Sequence, residues 1–337
     1  MGCWYCYEKH GLHVGMSPEV RSAVLALVRR VVDEGRYEQF SLSFFGGEPL
    51  LYYDEVVRPL VTEAAAICKE AGVAFSLHFT TNAYLLTDER IAELAAYDTS
   101  FQITIDGNEQ AHNLVRRTVD DEPTYAAIVA ACHKVLAAGC SVGVRFNYTA
   151  KVLPTFIDVL PDFEDVPEEQ RRRLNFNFQR VWQDREGDVE DVLRQVKNLE
   201  ERYRRAGFAV VSSESYRRAF CYADRENCAV VNYDGRLFSC TARDFTPENS
   251  EGKLLPDGTL AWNERREQRM ALKYGNATCR ACRIYPLCHG GCTQMKLEYK
   301  APVGCLKGYT EEQKTKILSG RMHELIALRS LVETRKI

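Results

Sequence analysis

The 337-residue chain sets 44 Lys and Arg against 47 Asp and Glu, a net charge of −3, so no basic excess is available to neutralise phosphates and no nucleic-acid partner is expected. No apolar run approaches the ~18 residues of a spanning helix, so no membrane is expected either, and the length suffices for one large α/β domain plus a smaller one. Of thirteen cysteines, ten fall in metal-like spacings, which favours a cytoplasmic, reduced setting over a disulfide framework.

Cys3-Trp4-Tyr5-Cys6 comes first, a C-x2-C step that by itself fits a zinc site or a redox pair as well as iron. Ser17-Pro18-Glu19 reads as a helix start, and Val20, Val24, Leu27, Val28 and Val31 recur at helical spacing after it. A strand over Phe40 to Phe45 stops at Gly46-Gly47-Glu48-Pro49. Two glycines at a strand end let backbone approach a ligand, and a carboxylate there can pair with an ammonium; taken alone, the same residues fit a tight turn. Helices are expected over Val56 to Cys68, starting near Pro59, from Thr87 through Ala96, over Tyr125 to Leu136 and over Val189 to Arg205. Strands are expected over Phe75 to Thr80, Phe101 to Asp106, Val142 to Tyr148 and Leu174 to Gln179. This alternation predicts α/β architecture with a parallel sheet curved into a partial barrel.

Buried parallel strands usually read as continuous apolar runs, but these alternate. Leu77 and Phe79 alternate with Ser76, His78 and Thr80; Phe101, Ile103 and Ile105 with Gln102, Thr104 and Asp106; Val144 and Phe146 with Gly143, Arg145 and Asn147; Phe176 and Phe178 with Asn175, Asn177 and Gln179. One face of the sheet is therefore polar. Either it lines an open, hydrated barrel interior, or it is an ordinary solvated face. Thr80-Thr81-Asn82 and Thr104-Ile105-Asp106-Gly107 end their strands where β/α barrels put their chemistry. His78 reads as a hydrogen-bonded core histidine, and Cys68, Cys132 and Cys140 as core.

From about Ser212 the pattern shifts to short strands, turns and cysteines. Val230 to Phe238 reads as a hairpin turning at Asp234-Gly235, with Cys228 and Cys240 at its open end, and Pro256-Asp257-Gly258 as another turn. Cys221 precedes it, and Cys279, Cys282, Cys288, Cys292 and Cys305 follow. Eight thiols suffice for two four-thiolate sites, and the ligands alone do not separate zinc, with His289 as an added donor, from iron. Glu311 to Thr334 reads as a polar helix with Ile317, Leu318, Leu325, Ile326 and Leu328 inward.

The combination of Cys3-x-Tyr5-Cys6, Gly46-Gly47-Glu48-Pro49 about forty residues on, and the C-terminal cysteine spacing resembles the radical S-adenosylmethionine (SAM) enzymes with a SPASM domain. That resemblance implies a partial (β/α)6 TIM-like barrel over residues 1–211, a small α+β SPASM domain over 212–308 and a C-terminal helix over 309–337. It implies three [4Fe-4S] clusters: Cys3 and Cys6 on the catalytic one, Cys221, Cys228, Cys240 and Cys292 on one auxiliary cluster, and Cys279, Cys282, Cys288 and Cys305 on the other. The first cysteine of the family's C-x3-C-x-aromatic-C signature would lie ahead of Met1, as would the first barrel strand, so an N-terminally truncated chain is expected. SAM contacts are implied at Tyr5, Gly46, Gly47, Glu48, Pro49, Asn82 and Thr104, with Arg116 and Arg145 either on its carboxylate or in structural ion pairs. The implied activity is generation of a 5′-deoxyadenosyl radical that modifies a peptide or protein. Thr241 after Cys240 is unlike the aspartate of sulfatase-maturing relatives and closer to maturases of ribosomally made peptides, which form crosslinks. Partners would be the peptide or protein substrate and an electron donor such as flavodoxin or ferredoxin; no general base is assigned. Two other readings stay open, a degenerate chain holding only auxiliary clusters and a zinc-binding structural module.

Overall fold

The computed structural model describes residues 1–6, 14–211, 221–274, 276–299 and 304–334. It divides into two compact units, Met1–Glu214 with Pro256–Gly258, and Ser215–Leu255 with Thr259–Ile337. The expected change of pattern at Ser212 lies outside the described residues.

The first unit alternates helix and strand. Helix α1 (Pro18–Asp33) starts as its sequence dictates: Ser17 Oγ accepts a hydrogen bond from Val20 N at 3.3 Å, and Pro18 takes the first helical position. Its Val28 and Val32 pack on Ala64, Ile67 and Cys68 of α2 (Arg58–Glu70), which follows a 3₁₀ turn and a π-helical turn over residues 49–57. The remaining elements are β1 (Gln39–Phe44), β2 (Ala74–Thr81), α3 (Asp88–Leu94), β3 (Asp98–Ile105), α4 (Glu109–Val115), α5 (Tyr125–Ala137), β4 (Ser141–Tyr148), a 3₁₀ helix over Leu153–Phe163, α6 (Glu168–Arg171), β5 (Leu174–Arg180), α7 (Val189–Arg205) and β6 (Ala209–Val210). Among the described residues the six strands form one parallel sheet in the order β1-β2-β3-β4-β5-β6, as the alternation predicts.

The sheet's two faces are chemically opposite. Leu77, Phe79, Phe101, Ile103, Val142, Val144, Phe146, Leu174, Phe176 and Phe178 are buried against Ile91 and Leu94 of α3, Ile128 and Val135 of α5, Phe156 and Phe163 of the 3₁₀ helix, and Val196 and Tyr203 of α7. The register lines the polar residues up in rows on the other face. His78 pairs with Ser100 and Ser100 with Ser141, Gln102 with Gly143 and Gly143 with Asn175, Thr104 with Arg145 and Arg145 with Asn177, and Asn147 with Gln179. The helices take the apolar face, so the polar rows belong to the barrel's interior face.

The second unit has a four-stranded antiparallel sheet, among the described residues, in the order β10-β9-β8-β7: β7 (Val230–Val231), β8 (Arg236–Phe238), β9 (Gly252–Leu254) and β10 (Leu260–Trp262). Gly235 sits at φ 80° in the β7–β8 turn, the left-handed backbone that selected Asp-Gly there. Helices α8 (Glu264–Leu272), α9 (Ala277–Arg280), α10 (Tyr285–Cys288), α11 (Thr293–Glu298) and α12 (Glu311–Thr334) complete it. On α12, Ile317 is buried as expected, but Leu325 and Ile326 are exposed at 40% and 58%. At the start of α12, Arg283 donates to Glu311 O and Thr315 Oγ1. Leu328 lies outside the described side chains.

The ring cluster of Phe146, Phe176, Phe178 and Tyr203 ties β4, β5 and α7 together, with Phe176 centroids 4.7 Å from Tyr203 and 5.3 Å from Phe146. Phe176→Ala, at a position 0% exposed, is expected to cost about 3–5 kcal/mol of unfolding free energy in a denaturant titration, with an unchanged value showing that the cluster does not anchor these strands.

Candidate functional site

The charged and polar groups of the first unit converge at the C-terminal ends of the parallel strands. After β1, Glu48 caps the 3₁₀ turn that starts at Pro49: its Oε1 accepts from Leu50 N at 3.1 Å and Thr81 Oγ1 at 2.7 Å, and its Oε2 from Asn82 N at 2.8 Å. Gly46 has φ 133°, a backbone that side chains rarely adopt, and a Cβ built on Gly46 or Gly47 meets nothing within 4 Å. The four residues thus hold a fixed carboxylate beside bare backbone facing open space. Burial raises the Glu48 pKa, with the bonds from Asn82, Thr81 and Leu50 opposing it. Such a carboxylate gains from a cationic partner. The strand-end segment Thr80-Thr81-Asn82 named in the sequence supplies two of these bonds, and the Thr81 hydroxyl also accepts from Ala83 N at 2.9 Å.

The second constellation fixes the Cys3–Cys6 loop, itself closed by Cys6 N donating to Cys3 O at 3.0 Å. Tyr5 Oη donates to Asp106 Oδ2 at 2.5 Å and accepts from Arg116 Nη2 at 2.7 Å and Asn147 Nδ2 at 3.2 Å. Arg116 Nε donates to the same Asp106 oxygen at 2.8 Å, and Gln183 Nε2 to Tyr5 O at 2.9 Å. Asp106 immediately follows β3 and Asn147 lies near the end of β4, so the sheet supplies both supports. Burial works against the Arg116 charge, but Asp106, Tyr5 and Cys3 outweigh it and raise its pKa. Burial likewise raises Tyr5 and Cys3, with Arg116 opposing both. Arg116 thus makes a buried ion pair with Asp106. Asp106 and Asn147 were not singled out in the sequence because their role depends on a loop more than a hundred residues away.

Asp106 Oδ1 is buried and makes no hydrogen bond among the described residues, leaving a carboxylate oxygen for a donor. Thr104 is buried beside Arg145 in the register, and Arg145 Nε donates to Asn147 Oδ1 at 2.8 Å. Asn82 Oδ1 accepts from Tyr84 N at 2.9 Å. His78 Nδ1 meets Ser100 Oγ at 2.9 Å, and burial lowers its pKa, the bland role its sequence suggests.

All thirteen cysteines are free thiols. Cys68, Cys132 and Cys140 are buried as expected, with Cys132 pushed up to about 12 by burial. In the second unit the thiols fall into two neighbourhoods. Burial raises Cys221, and Cys240 and Cys292 add to it; burial raises Cys240, and Cys292 adds there too. Burial raises Cys288, and Cys305 and Cys279 add to it, while Lys314, raised first by its bond to Glu311, senses Cys282 and Cys305. Cys228, raised by burial, is drawn down by Arg225 and Arg266. Among the described residues no three His, Cys, Asp or Glu side chains stand close enough to hold one metal ion. An all-thiol set of this kind suits iron–sulfur or zinc chemistry. No helix among the described residues is long and apolar enough to cross a membrane.

The polar interior face, the strand-end carboxylate and the anchored cysteine loop are brought together by one α/β barrel-type sheet. Residues 1–158 match the family model described as the radical SAM superfamily. No curated protein matches the chain in sequence. Among solved structures, native anSMEcpe with bound AdoMet and Cp18Cys peptide is similar at TM-score 0.70 and 16% identity, over 98% of this chain and 96% of that one. Streptococcus suis SuiB bound to precursor peptide SuiA is similar at TM-score 0.59 and 15% identity, over 90% of this chain and 72% of that one. At these identities the likeness establishes the fold.

Two outcomes follow from the anchored loop. Asp106→Leu leaves the Arg116 charge buried without its partner and is expected to cost about 3–5 kcal/mol, whereas Asp106→Leu with Arg116→Met recovers much of it; equal losses from the single and double variants in urea unfolding would contradict the pairing. His112, which accepts from Asp106 N at 3.2 Å and meets Thr124 Oγ1 at 3.2 Å, has its pKa lowered from 6.5 to about 3 by burial, with Arg116 adding. The unfolded state then binds the proton first as pH falls, so the stability His112 contributes is full above pH 6.5 and declines between there and about 3, on the order of 1 kcal/mol per pH unit. Unfolding titrations across that window should show a shallower slope for His112→Gln.

Proposed function

We propose that the chain is a radical SAM enzyme that modifies a peptide or protein, with crosslinking of a ribosomally made peptide as the reaction class. The observation that carries this reading is the Glu48 carboxylate, fixed by Leu50, Thr81 and Asn82 beside the open backbone of Gly46 and Gly47, on the strand ends that also hold the Cys3–Cys6 loop. When bound, a reduced [4Fe-4S] cluster with SAM supplies a 5′-deoxyadenosyl radical that takes a hydrogen atom from the substrate.

Glu48 would receive the SAM ammonium, an exchange that relieves the burial penalty on its ionised form. Gly46, Gly47 and Pro49 would shape the backbone around it, and Asn82, Thr104 and Arg145 would supply polar contacts along the interior face. Tyr5, with Asp106 and Arg116 behind it, would hold Cys3 and Cys6 toward the cluster, and the unused Asp106 Oδ1 would accept from a bound hydroxyl or ammonium. Cys221, Cys228, Cys240 and Cys292 would carry one auxiliary cluster, and Cys279, Cys282, Cys288 and Cys305 the other. The couplings among Cys221, Cys240 and Cys292, and among Cys288, Cys305 and Cys279, support that division. Peptide as substrate is supported by the Cp18Cys peptide held by anSMEcpe and the precursor peptide SuiA held by SuiB. An external electron donor such as flavodoxin or ferredoxin would complete the system.

The test is anaerobic reconstitution with iron and sulfide, followed by SAM titration calorimetry and assay of 5′-deoxyadenosine under a reductant. Glu48→Gln, which keeps shape and loses charge, is expected to weaken SAM binding about 10-fold to 100-fold, the worth of one charge-assisted hydrogen bond. Undiminished SAM affinity in that variant, or zinc without iron in the reconstituted protein, would overturn the reading.

A further inference from the structure

Helix α8 is among the most charged in the chain, yet two of its arginines are buried: Arg266 is 5% exposed and Arg269 is 1% exposed. They stand three residues apart, on one face of the helix. Arg269 Nε lies 3.0 Å and its Nη2 2.7 Å from Oε1 of Glu251, which is itself buried. The same guanidinium donates through Nη1 to Thr293 Oγ1 at 3.0 Å and through Nη2 to Gln294 Oε1. Ser239 Oγ donates to the other Glu251 oxygen at 2.5 Å, Thr293 Oγ1 donates on to Asp224 Oδ1, and Asp224 N donates to Cys221 O at 2.9 Å. Arg266 braces this from the side, donating to Ser239 Oγ at 2.8 Å, Ala223 O at 3.2 Å and Arg225 O at 2.7 Å.

The partners are not scattered. Ser239 precedes Cys240, Thr293 follows Cys292, and Asp224 closes the turn that begins at Cys221. None of the network's members adjoins Cys279, Cys282, Cys288 or Cys305 in the chain. Burying an ion pair is costly, and an apolar pair of similar volume usually stabilises a fold as well or better, so stability is a poor reason for this one. What a five-donor planar fork gives, and an apolar contact does not, is fixed direction toward several partners together.

We infer that the buried Arg269–Glu251 pair is a positioning element that draws the Cys221, Cys240 and Cys292 segments into register for one shared iron–sulfur cluster. The inference rests on the auxiliary-cluster part of the proposed function. Arg269 and Glu251 touch no ligand atom of that cluster; they act through Ser239, Thr293 and Asp224.

The test uses the full chain, reconstituted anaerobically with iron and sulfide. The double variant Glu251→Met with Arg269→Met removes both charges at similar volume, so the apoprotein's unfolding midpoint should stay near that of the parent. It is expected to lose about four irons per chain, one four-iron cluster, and its reduced-state electron paramagnetic resonance spectrum should coincide with that of a Cys221→Ala, Cys240→Ala chain. Arg269→Lys, which keeps the charge and loses the fork, should fail to restore the cluster. Full iron with an unchanged spectrum in the double variant, or loss of the signal that Cys279→Ala removes, would overturn the inference. If the double variant does not fold, Thr293→Val carries the test, because it removes the hydroxyl that joins Arg269 to Asp224 and leaves the Arg269–Glu251 pair in place: the reduction potential of that cluster should shift, and an unmoved potential counts against the inference. A parent chain that takes up no iron overturns the auxiliary-cluster reading together with this one, whereas a loaded parent with unaffected variants overturns this inference alone.

Discussion

The first unit depends on a charge pair held out of water at the end of β3. Asp106 and Arg116 are each less than a tenth exposed and meet at 2.8 Å, so neither tolerates the loss of the other. Their remaining capacity is turned outward to one phenol, Tyr5, which lies 101 residues from Asp106 and 111 from Arg116 along the chain. This three-way contact forms only once β3, the end of α4 and the Cys3–Cys6 loop have all arrived. The N-terminal loop, which has few apolar contacts of its own, thereby borrows rigidity from the sheet. His112 and Thr124 extend the support from behind: His112 accepts from Asp106 N, and Thr124 Oγ1 donates to Arg116 O at 2.8 Å.

Such a site is possible because the sheet satisfies its packing needs on one face. The stacked rings of Phe44, Phe79 and Phe101, and the cluster around Phe146 and Phe176, bury β1 to β5 against the helices, so the apolar packing of the sheet is met on that face. The opposite face is left for polar groups. That asymmetry was legible in the sequence because the strand period of two writes it directly: Leu77, Phe79, Phe101 and Ile103 against His78, Thr80, Gln102 and Thr104. Helices α1, α5, α7 and the hairpin at Asp234-Gly235 were legible for the same local reasons, a cap, an apolar stripe or a turn that needs glycine.

What stayed hidden is what local pattern does not encode. Helix α4 has a single fully buried side chain, His112, and so no stripe to reveal it; the 3₁₀ helix over Leu153–Phe163 carries prolines at 154 and 161, which argue against a helix on sequence grounds. The periodicity of α12 pointed Leu325 and Ile326 inward, but a helix pattern states which residues share a face and not whether anything covers it. Helix α8 has no sequence-level expectation at all: its Arg266 and Arg269 face inward because Glu251 waits there, eighteen residues from Arg269 in sequence. Site residues divide the same way. Glu48 was found from its neighbours Gly46 and Gly47, and Asp106 and Asn147 were missed because their partner is remote.

The two units solve a common problem with one device. A thiol that is to serve as a metal ligand must be a thiolate when the metal arrives, yet burial favours the neutral form, as the raised pKa values of Cys3, Cys228 and Cys240 show. A nearby bare cation would offset that but would itself be costly to bury and free to wander. An arginine locked to a carboxylate escapes both difficulties, because its partner offsets much of the desolvation and its fork fixes where the remaining donors point. Arg116 with Asp106 does this beside Cys3, and Arg269 with Glu251 beside Cys240; in each case the arginine opposes the rise that burial imposes on the thiol. The residues bonded to these arginines, Tyr5 in the first unit and Thr293 in the second, are chain neighbours of Cys6 and Cys292. On the proposed reading, charge and position would be delivered to the sulfurs by the same side chain, a use for a buried ion pair that an apolar contact of similar volume does not offer.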